Sequence, residues 1–408
     1  MEGQKRRILD PKDLSDHEKK NLMILETIRR KGPVARADIA RLVDLNNVTV
    51  TSYVDQYLKK KVLQEAGVHI STGGRKPTLV DLESMRAFAI GVGLNAVDFI
   101  AVLYNLKGQI LHKVKIERTT ESNQKPVESL LEVVDLLVKE SKVDLEKVHG
   151  IGIGVPGIVN HQNGTVRWPR GLLSGDLAIT SSISNRVYDK FKVPVILDND
   201  ANTAVFAEQW ASPEGLNVES AVYLYSGSGC GLMFGGHIYR GFTGSAGEFL
   251  FDLSQEDPIA WLREAVDKGG WAIDLGITQH AREEIKHHSE SKLYETCSGD
   301  PKNVDFDMVI ASAEAGDDFC KEVLREAGYG LGYKSALITN LLNPELIIIG
   351  GGLERAGIVF LDAVKKRIRD IAIPEAAERV KVVPSKLGED AVPMGAAALV
   401  IQNYFISN

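Results

Sequence analysis

Val195-Ile-Leu-Asp-Asn-Asp-Ala-Asn202 decides the fold of the larger part of this chain, because it joins an apolar strand to the start of a helix. Polar side chains at the carboxyl end of such a strand point into the usual ligand crevice of an α/β protein. Asn199 offers a donor and an acceptor and Asp200 a charged acceptor, a pair that suits the vicinal hydroxyls of a sugar or polyol. A simple helix cap, the alternative interpretation, would account for only one of these polar residues.

The α/β pattern extends outward from this stretch over residues 85–408. A run of three strands, a helix and a further strand begins near residue 87, and a similar run begins near residue 220. Two such halves indicate a duplicated α/β core with a cleft between them. Strands are predicted at residues 87–94, 99–104, 110–116, 150–155, 193–198, 221–225, 231–234 and 346–349, and helices at 125–140, 177–191, 201–210, 258–268, 305–315, 319–342, 357–373 and 390–402.

Residues 1–84 differ in pattern from the rest of the chain. Apolar residues at helical spacing predict a first helix that ends at Gly32-Pro33, and Asn46 is placed to cap a third helix. Three helices and a β-hairpin are typical of a winged helix-turn-helix that reads duplex DNA, whereas a helical bundle with a solvated polar face is the alternative. The helices are predicted at residues 17–31, 36–43 and 47–61, and the two strands at 62–65 and 78–82.

The third helix is expected to enter the major groove of operator DNA. Arg36, at the start of the second helix, is expected to hold a phosphate. Arg75 and Lys76 follow two glycines at the hairpin tip, which suits a basic finger in a narrow minor groove. The small, mostly polar surface expected to meet the bases comprises Asn46, Asn47, Val48, Thr49, Thr51, Ser52 and Gln56.

Composition and charge exclude several classes of protein. With 408 residues, 44% of them hydrophobic and 25% charged, the chain is neither disordered nor fibrous. Residues 1–84 carry 16 Lys/Arg against 12 Asp/Glu and the remainder 32 against 43, so only the first segment is expected to approach a polyanion. The three cysteines are widely spaced, no apolar run approaches the ~20 residues of a membrane span, and the N-terminus has no apolar leader. These features predict a reduced, cytoplasmic protein without a membrane partner.

Glycine-rich turns recur in the α/β part. The stretch Gly150-Ile-Gly-Ile-Gly-Val-Pro-Gly157 is a strand that opens into a turn, where glycines admit either a ligand or tight packing. Gly227-Ser-Gly-Cys-Gly231 is a hairpin turn that can present backbone N–H groups to phosphate, although tight turns of this kind are common. Glu248, after Gly244-Ser-Ala-Gly247, is a candidate acceptor for a second pair of hydroxyls.

Taken in order, these motifs resemble those of the ROK family, which contains repressors, open reading frames and sugar kinases. The resemblance covers residues 17–402 and rests on Ser71-Thr-Gly-Gly-Arg-Lys-Pro77, Gly152-Ile-Gly-Val-Pro-Gly157, Asn199-Asp-Ala-Asn202, Gly227-Ser-Gly-Cys-Gly231, Gly244-Ser-Ala-Gly-Glu248, Asn343-Pro-Glu-Leu-Ile-Ile-Ile-Gly-Gly-Gly-Leu353 and Met394-Gly-Ala-Ala397.

The resemblance implies a winged helix over residues 1–84 followed by an actin-like ATPase fold, a duplicated ribonuclease H-like domain, over residues 85–408. A first lobe would span about 85–205 plus the C-terminal helix at about 388–404, and a second lobe about 206–387. The assembly would be a dimer or tetramer. By the same resemblance, the effector would contact Gly157, Asn199, Asp200 and Glu248.

Two departures from the family pattern bear on function. The kinases open with Asp-x-Gly-Gly-Thr, which serves the metal and phosphates of ATP, but the Asp position here is Gly93 and the turn reads Asn95-Ala96-Val97. The zinc-site histidine falls at Phe251, and no cysteine lies between Cys230 and Cys297, so no metal or cofactor is expected. In the family, that histidine also helps to hold the sugar, so its loss alters the sugar pocket. The effector could therefore equally be a pentose, a disaccharide or a cyclic polyol rather than an ordinary aldohexose.

The leading interpretation is therefore a sugar- or polyol-responsive transcriptional repressor of carbohydrate metabolism genes, not an enzyme. A homodimer would place two recognition helices about 34 Å apart on a palindromic operator, and effector binding would close the two lobes. The first alternative is an ATP-dependent sugar kinase, in which Asp200 would be the catalytic base. The second is a DNA-binding scaffold whose pocket is vestigial.

Overall fold

The computed structural model describes residues 14–68, 77–94, 98–119, 125–161, 164–167, 180–211, 218–225, 229–248 and 276–408. Within them, helices and a small sheet form the N-terminal part, and two five-stranded sheets with their helices form most of the rest. None of the helices in this part of the chain is long and apolar enough to cross a membrane.

The N-terminal part has the predicted winged helix-turn-helix order. Its elements are α1 (Asp16–Lys31), β1 (Val34–Ala35), α2 (Arg36–Leu42), α3 (Asn47–Lys59), β2 (Leu63–Val68) and β3 (Thr78–Leu82). Ser15 and Glu18 form a reciprocal capping box at the start of α1, and the side chain of Asn46 caps α3 as predicted. The sequence pattern missed β1, a two-residue strand that completes a sheet in the order β1-β3-β2.

The first five-stranded sheet has the order β11-β7-β4-β5-β6. Its strands are β4 (Phe88–Leu94), β5 (Asp98–Asn105), β6 (Ile110–Glu117), β7 (Val148–Val155) and β11 (Val195–Asn199). Strands β4, β7 and β11 run parallel, while β5 and β6 are antiparallel. The helices of this half are α4 (Pro126–Ser141), α5 (Ile183–Phe191) and α6 (Asp200–Ala211).

The second five-stranded sheet repeats this topology, which confirms the predicted duplication. Its order is β14-β13-β12-β15-β16, with β12, β15 and β16 parallel and β13 and β14 antiparallel. The strands are β12 (Ser220–Tyr225), β13 (Gly229–Phe234), β14 (His237–Ile238), β15 (Leu346–Gly350) and β16 (Lys381–Pro384). The helices are α7 (Ile277–Glu284), α8 (Lys292–Thr296), α9 (Phe306–Glu314), α10 (Asp318–Leu342), α11 (Gly357–Ile371) and α12 (Pro374–Ala377).

One predicted helix begins later than expected. The helix predicted from residue 177 begins at Ile183, because residues 180–182 form β10 (Thr180–Ser182) instead. Ser and Thr disfavour helix interiors, since their side chains compete for backbone hydrogen bonds, and they suit an extended strand before a helix start. Strand β10 completes a small antiparallel sheet with β9 (Thr165–Arg167) and β8 (Ile158–Asn160). The helix predicted at 258–268 lies outside the described residues.

The C-terminal helix α13 (Ala391–Ile406) returns to the first sheet and packs directly on its backbone. A Cβ atom at Gly152 would lie 2.0 Å from the carbonyl oxygen of Ala396, so a side chain there would force the helix off the sheet. Tight packing, one of the two interpretations of the Gly150–Gly157 stretch, is therefore the role of Gly152.

The winged helix shares a hydrophobic core with the first sheet. Buried residues of α1 and α3 belong to one continuous apolar cluster with residues of β5, α6 and α13. Members of this cluster from these five helices and strands include Ile24, Leu25, Ile28, Val50, Val54, Tyr57, Tyr104, Trp210 and Phe405. The predicted domain boundary near residue 84 therefore falls within a continuous core, and it stays a prediction.

Candidate functional site

The predicted site residues of the first half meet at the end of β11, where the chain enters α6. The Asn199 side chain donates to the carbonyl oxygen of Gly157 (Nδ2–O 3.2 Å) and accepts from the backbone of Asn202 (N–Oδ1 3.2 Å). Gly157 has a φ of 103°, a left-handed conformation that favours glycine. The two strand ends that carry the Gly157 and Asn199 motifs are thereby joined side by side.

Asp200 is the first residue of α6 and is almost completely buried. Burial and the nearby Glu248 carboxylate together raise the pKa of Asp200 to about 7, against the opposing hydrogen bond from the Ala201 backbone N–H. A helix N-terminus favours a negative charge by roughly 0.3–1 kcal/mol, which is too little to offset this burial. Further hydrogen-bond donors that reach Asp200 would lower this pKa and favour the carboxylate near neutral pH.

Glu248 reaches the same place from the second half of the chain. Its backbone pairs with Gly229 at the start of β13, and the backbone N–H of Cys230 donates to the carbonyl oxygen of Gly247 (2.8 Å). Desolvation raises the pKa of Glu248, while the Arg167 guanidinium opposes the rise. Asp200 and Glu248 thus supply two acceptors, one from each half, and the negative charge of Glu248 disfavours ionisation of Asp200.

A charged network beside the site was not predicted. Asp198, 1% exposed, accepts from Arg240 (Nε–Oδ2 3.0 Å) and from the side chain of Asn202 (Nδ2–Oδ1 3.2 Å). The Nε2 atom of His161 lies 3.7 Å from Oδ1, the oxygen that also accepts from Asn202. Burial alone would raise the pKa of Asp198, but Arg240 and His161 outweigh it and hold the pKa below its usual value.

This network joins the two halves of the molecule, since Asp198 lies in β11 of the first sheet and Arg240 follows β14 of the second. Asp198 lies in the motif that the sequence analysis singled out, but the 42 residues between the partners hid the pair. The position of Arg240, directly before the Gly241–Glu248 stretch, is the one signal in the sequence that could have indicated it.

The predicted DNA-contacting surface is exposed on α3. Val48 is 80% exposed, Asn47, Ser52 and Gln56 are exposed, and Thr51 is half-buried. Thr49 is also half-buried, and its backbone N–H donates to the side chain of Asn46 (N–Oδ1 2.8 Å). The amide oxygen of Asn46 is therefore already used in capping the helix.

Arg36 lies beside this surface and is paired with a residue of α3. Its guanidinium forms an ion pair with Asp55 of α3 (Nη2–Oδ1 2.7 Å), and both side chains remain partly exposed. A phosphate would therefore compete with Asp55 for Arg36. Arg75 and Lys76 lie outside the described residues, so their expected minor-groove role stays a prediction.

The arrangement at the strand ends is suited to binding a polyhydroxyl ligand. Two carboxylates, an amide and backbone groups can accept and donate hydrogen bonds to adjacent hydroxyls. Among the residues that the structure describes, no three His, Cys, Asp or Glu side chains are grouped as a metal ion would require.

Comparison with known proteins agrees with this geometry. The sequence model of the ROK family matches residues 89–250 and 276–403. A xylose repressor from Caldicellulosiruptor bescii is 28% identical over 390 residues, which cover 94% of this chain and 95% of that protein. The transcriptional dual regulator NagC of Escherichia coli is 24% identical over 385 residues, covering 92% of this chain and 91% of NagC.

Two solved structures share the fold. One is a ROK family transcriptional regulator described as a homologue of the Escherichia coli MLC protein (TM-score 0.73, 21% identity, 96% of this chain and 98% of that chain). The other is a ROK family glucokinase from Streptomyces griseus in complex with glucose and AMPPNP (TM-score 0.62, 22% identity, 77% of this chain and 99% of that chain). The expected combination of a winged helix with an actin-like ATPase fold is confirmed.

Proposed function

The chain belongs to the ROK family, and from that membership we propose that it is a sugar-responsive transcriptional repressor. The observation that carries the proposal is the presence of two sites in one chain. One is the exposed outer surface of α3, and the other is the acceptor cluster formed by Asn199, Asp200 and Glu248. The relatives named as xylose and N-acetylglucosamine repressors support the same pairing of DNA with a sugar.

The effector in this proposal is a small sugar whose adjacent hydroxyls donate to Asp200 and Glu248. D-Xylose is the first candidate, because two relatives 28% identical to this chain are named as a xylose repressor and a putative xylose repressor. N-acetylglucosamine is the second, because the more distant relatives carry that name. Gly157 and Asn199 would hold the ring from the first half of the chain.

The remaining parts of the proposal concern organisation. We assign residues 1–84 to the DNA-binding domain and 85–408 to the sugar-binding domain. The protein would act in the cytoplasm as a homodimer or tetramer on double-stranded operator DNA, with Arg36, the α3 surface, Arg75 and Lys76 as its contacts. Operator spacing of about one DNA turn follows from a dimer with twofold symmetry.

A kinase is the competing function, and the surroundings of Gly93 argue against it. Gly93 takes the place of the family's metal-anchoring aspartate, and a Cβ atom there would lie 2.6 Å from the Cδ atom of Pro393. The first turn of α13 therefore occupies the space that a side chain at this position needs. Phosphoryl transfer depends on positioning and charge stabilisation, and Gly93 offers no carboxylate for either.

Restoring the aspartate should not restore a kinase. We expect Gly93→Asp to lower the unfolding free energy by roughly 1–3 kcal/mol, because the new side chain overpacks the contact with α13. Chemical denaturation measures the loss, and a coupled ATPase assay with a sugar panel should show no turnover by the wild type or the variant. Turnover by the wild type that disappears in Asp200→Asn would instead establish the kinase.

The direct test of the proposal is selection of an operator followed by titration with sugars. The full-length protein would be incubated with random duplexes, and the selected duplex would be used in gel-shift assays with D-xylose, N-acetylglucosamine, a disaccharide and a cyclic polyol. We expect specific binding and a change of about 5- to 150-fold in operator Kd with one of these sugars. Failure of every sugar to change the Kd would refute the effector part, and failure to select any sequence would refute the whole proposal.

Gln56 provides a test of the α3 surface. We expect Gln56→Ala to weaken specific operator binding by about 5- to 150-fold, because a bidentate glutamine–adenine contact contributes roughly 1–3 kcal/mol. Binding to a scrambled duplex should change little. The matched control is Gln279→Ala, which removes another exposed helical glutamine from α7, in the second half of the chain. Equal affinities of the two variants for the operator would remove Gln56 from the interface.

A further inference from the structure

Helix α6 begins in the candidate sugar site and ends against the winged helix. Its first residue is Asp200, and its last turn contains Trp210, so its 12 residues span about 18 Å. The carbonyl oxygen of Trp210 accepts a hydrogen bond from Arg29 of α1 (Nη2–O 3.0 Å). One rigid element therefore touches both the proposed effector residues and the DNA-binding domain.

The same helix is held tightly between the two halves of the molecule. A Cβ atom at Gly231 of β13 would lie 2.0 Å from the carbonyl oxygen of Ala201, and a Cβ atom at Gly395 of α13 would lie 1.8 Å from that of Thr203. At both glycines, the neighbouring element therefore packs directly on the backbone of α6. A relative movement of the second sheet would therefore act directly on the backbone of α6.

Arg29 makes the far end of α6 sensitive to such a displacement. Its guanidinium carbon lies 3.8 Å from the centre of the Trp210 ring, and its side chain is only 6% exposed. The nearest carboxylate oxygen, Oε1 of Glu26, is 3.8 Å away and already accepts two hydrogen bonds from Arg30. The Trp210 carbonyl oxygen and indole face thus offset much of the free energy cost of burying the Arg29 guanidinium. Both interactions weaken steeply with distance.

A second set of contacts continues from α1 to the recognition helix. The Asn21 side chain of α1 accepts from the Tyr57 hydroxyl of α3 (2.6 Å) and donates to the carbonyl oxygen of Ile406 in α13 (3.2 Å). All three groups are buried, so the recognition helix is fixed to α1 and follows its position.

We propose that Arg29 is the positioning residue that transmits effector binding along α6 to the winged helix. Donors that bind Asp200 shift α6, the shift changes the contact of Trp210 with Arg29, and α1 carries the change to α3. The inference rests on the proposed function, because it names the route by which the sugar site regulates operator binding. The effector therefore acts within one subunit, through the core that the winged helix shares with the first sheet.

The test measures coupling rather than binding. Arg29→Met keeps the volume of the side chain but removes its charge and its hydrogen bond to α6, and Arg29→Lys keeps the charge without the planar fork. The matched control is Arg30→Met on the same helix, whose only described ion pair is with Glu26. For each full-length variant, operator Kd would be measured without sugar and with saturating D-xylose, or with whichever panel sugar acts on the wild type.

For Arg29→Met we expect operator Kd without sugar, and D-xylose Kd without DNA, to remain within about threefold of the wild type. The sugar-induced change in operator Kd should fall below about twofold, from the 5- to 150-fold expected of the wild type. Arg29→Lys should give an intermediate value, and Arg30→Met should respond as the wild type does. By reciprocity, operator DNA should no longer change the sugar Kd of Arg29→Met.

Each other result has a defined meaning. If both Arg29 variants respond as the wild type does, the route through α6 is wrong and the coupling must pass through α13 or between subunits. If Arg29→Met does not fold, the ratio of operator Kd with and without sugar in Arg29→Lys tests the route instead. If the wild type itself responds to no sugar, the proposed function fails and the coupling route falls with it.

Discussion

Replacing Asp200 with asparagine should strongly weaken the sugar response and at the same time make the sugar-free protein more stable at alkaline pH. The variant loses a charged acceptor, so we expect sugar affinity to fall by about 10- to 150-fold, the equivalent of roughly 1.5–3 kcal/mol. In the wild type, sugar affinity should rise as pH increases through about 7, because hydroxyl donors favour the ionised form of Asp200. That pH dependence should be missing from the variant.

The stability effect follows from the raised pKa of Asp200. Its folded-state pKa is about 7 against the ordinary value of 3.8, so its contribution to stability is fully present below pH 3.8 and is lost as pH rises through 7. The difference corresponds to at most roughly 4 kcal/mol at pH 8, since each pKa unit is about 1.4 kcal/mol. Asparagine does not ionise, so Asp200→Asn should gain stability over the wild type between pH 5 and pH 8.

Thermal unfolding of both proteins across this pH range, with and without D-xylose, measures the two effects together. The matched control is Asp189→Asn, an exposed aspartate of α5 whose ion-pair partner Lys192 is 3.8 Å away and which should change neither quantity. An unchanged sugar affinity in Asp200→Asn would show that Asp200 is not an effector contact. Parallel pH profiles of the two proteins would show that Asp200 is already ionised in the sugar-free state.

Replacing Asp198 with asparagine should cost on the order of 3 kcal/mol of unfolding free energy. The substitution keeps the shape and the backbone hydrogen bonds but leaves Arg240 without its buried counter-charge, which costs far more than a surface pair. Because Arg240 comes from the second half of the chain, the loss should also loosen the contact between the two halves. Chemical denaturation of the sugar-free protein provides the measurement.

Two further variants isolate the ion pair. Asp135→Asn, which breaks an exposed pair with Lys190, should cost less than about 1 kcal/mol. The double variant Asp198→Asn with Arg240→Met should recover part of the loss, because it removes the unpaired charge as well. If Asp198→Asn is as stable as Asp135→Asn, the Asp198–Arg240 pair is not a structural contact between the halves.

Much of the fold was predictable because its signals are local. The apolar spacing of α1, the Asn46 cap of α3 and the apolar strand before Asp198 all act within a few residues. The similar runs that begin near residues 87 and 220 predicted the repeated topology of the two sheets. Where two local preferences compete, prediction failed, as at Thr180–Ser182, whose pairing with β9 displaced the predicted start of α5.

The candidate site was likewise predictable only in part. The residue types at Gly157, Asn199, Asp200 and Glu248 predicted a hydroxyl-binding cluster before any contact was known. The raised pKa of Asp200 was not predictable, because desolvation depends on which segments cover the side chain.

By itself, then, the sequence determined the order of the main helices and strands and the chemical character of the strand ends. Only the tertiary structure decided that Pro393 fills the space beside Gly93, that Arg240 neutralises Asp198 and that Arg29 rests on Trp210. The reason is physical: backbone preferences and caps act over one or two turns. Packing and buried charge depend on side chains that lie 42 to 300 residues apart along the chain.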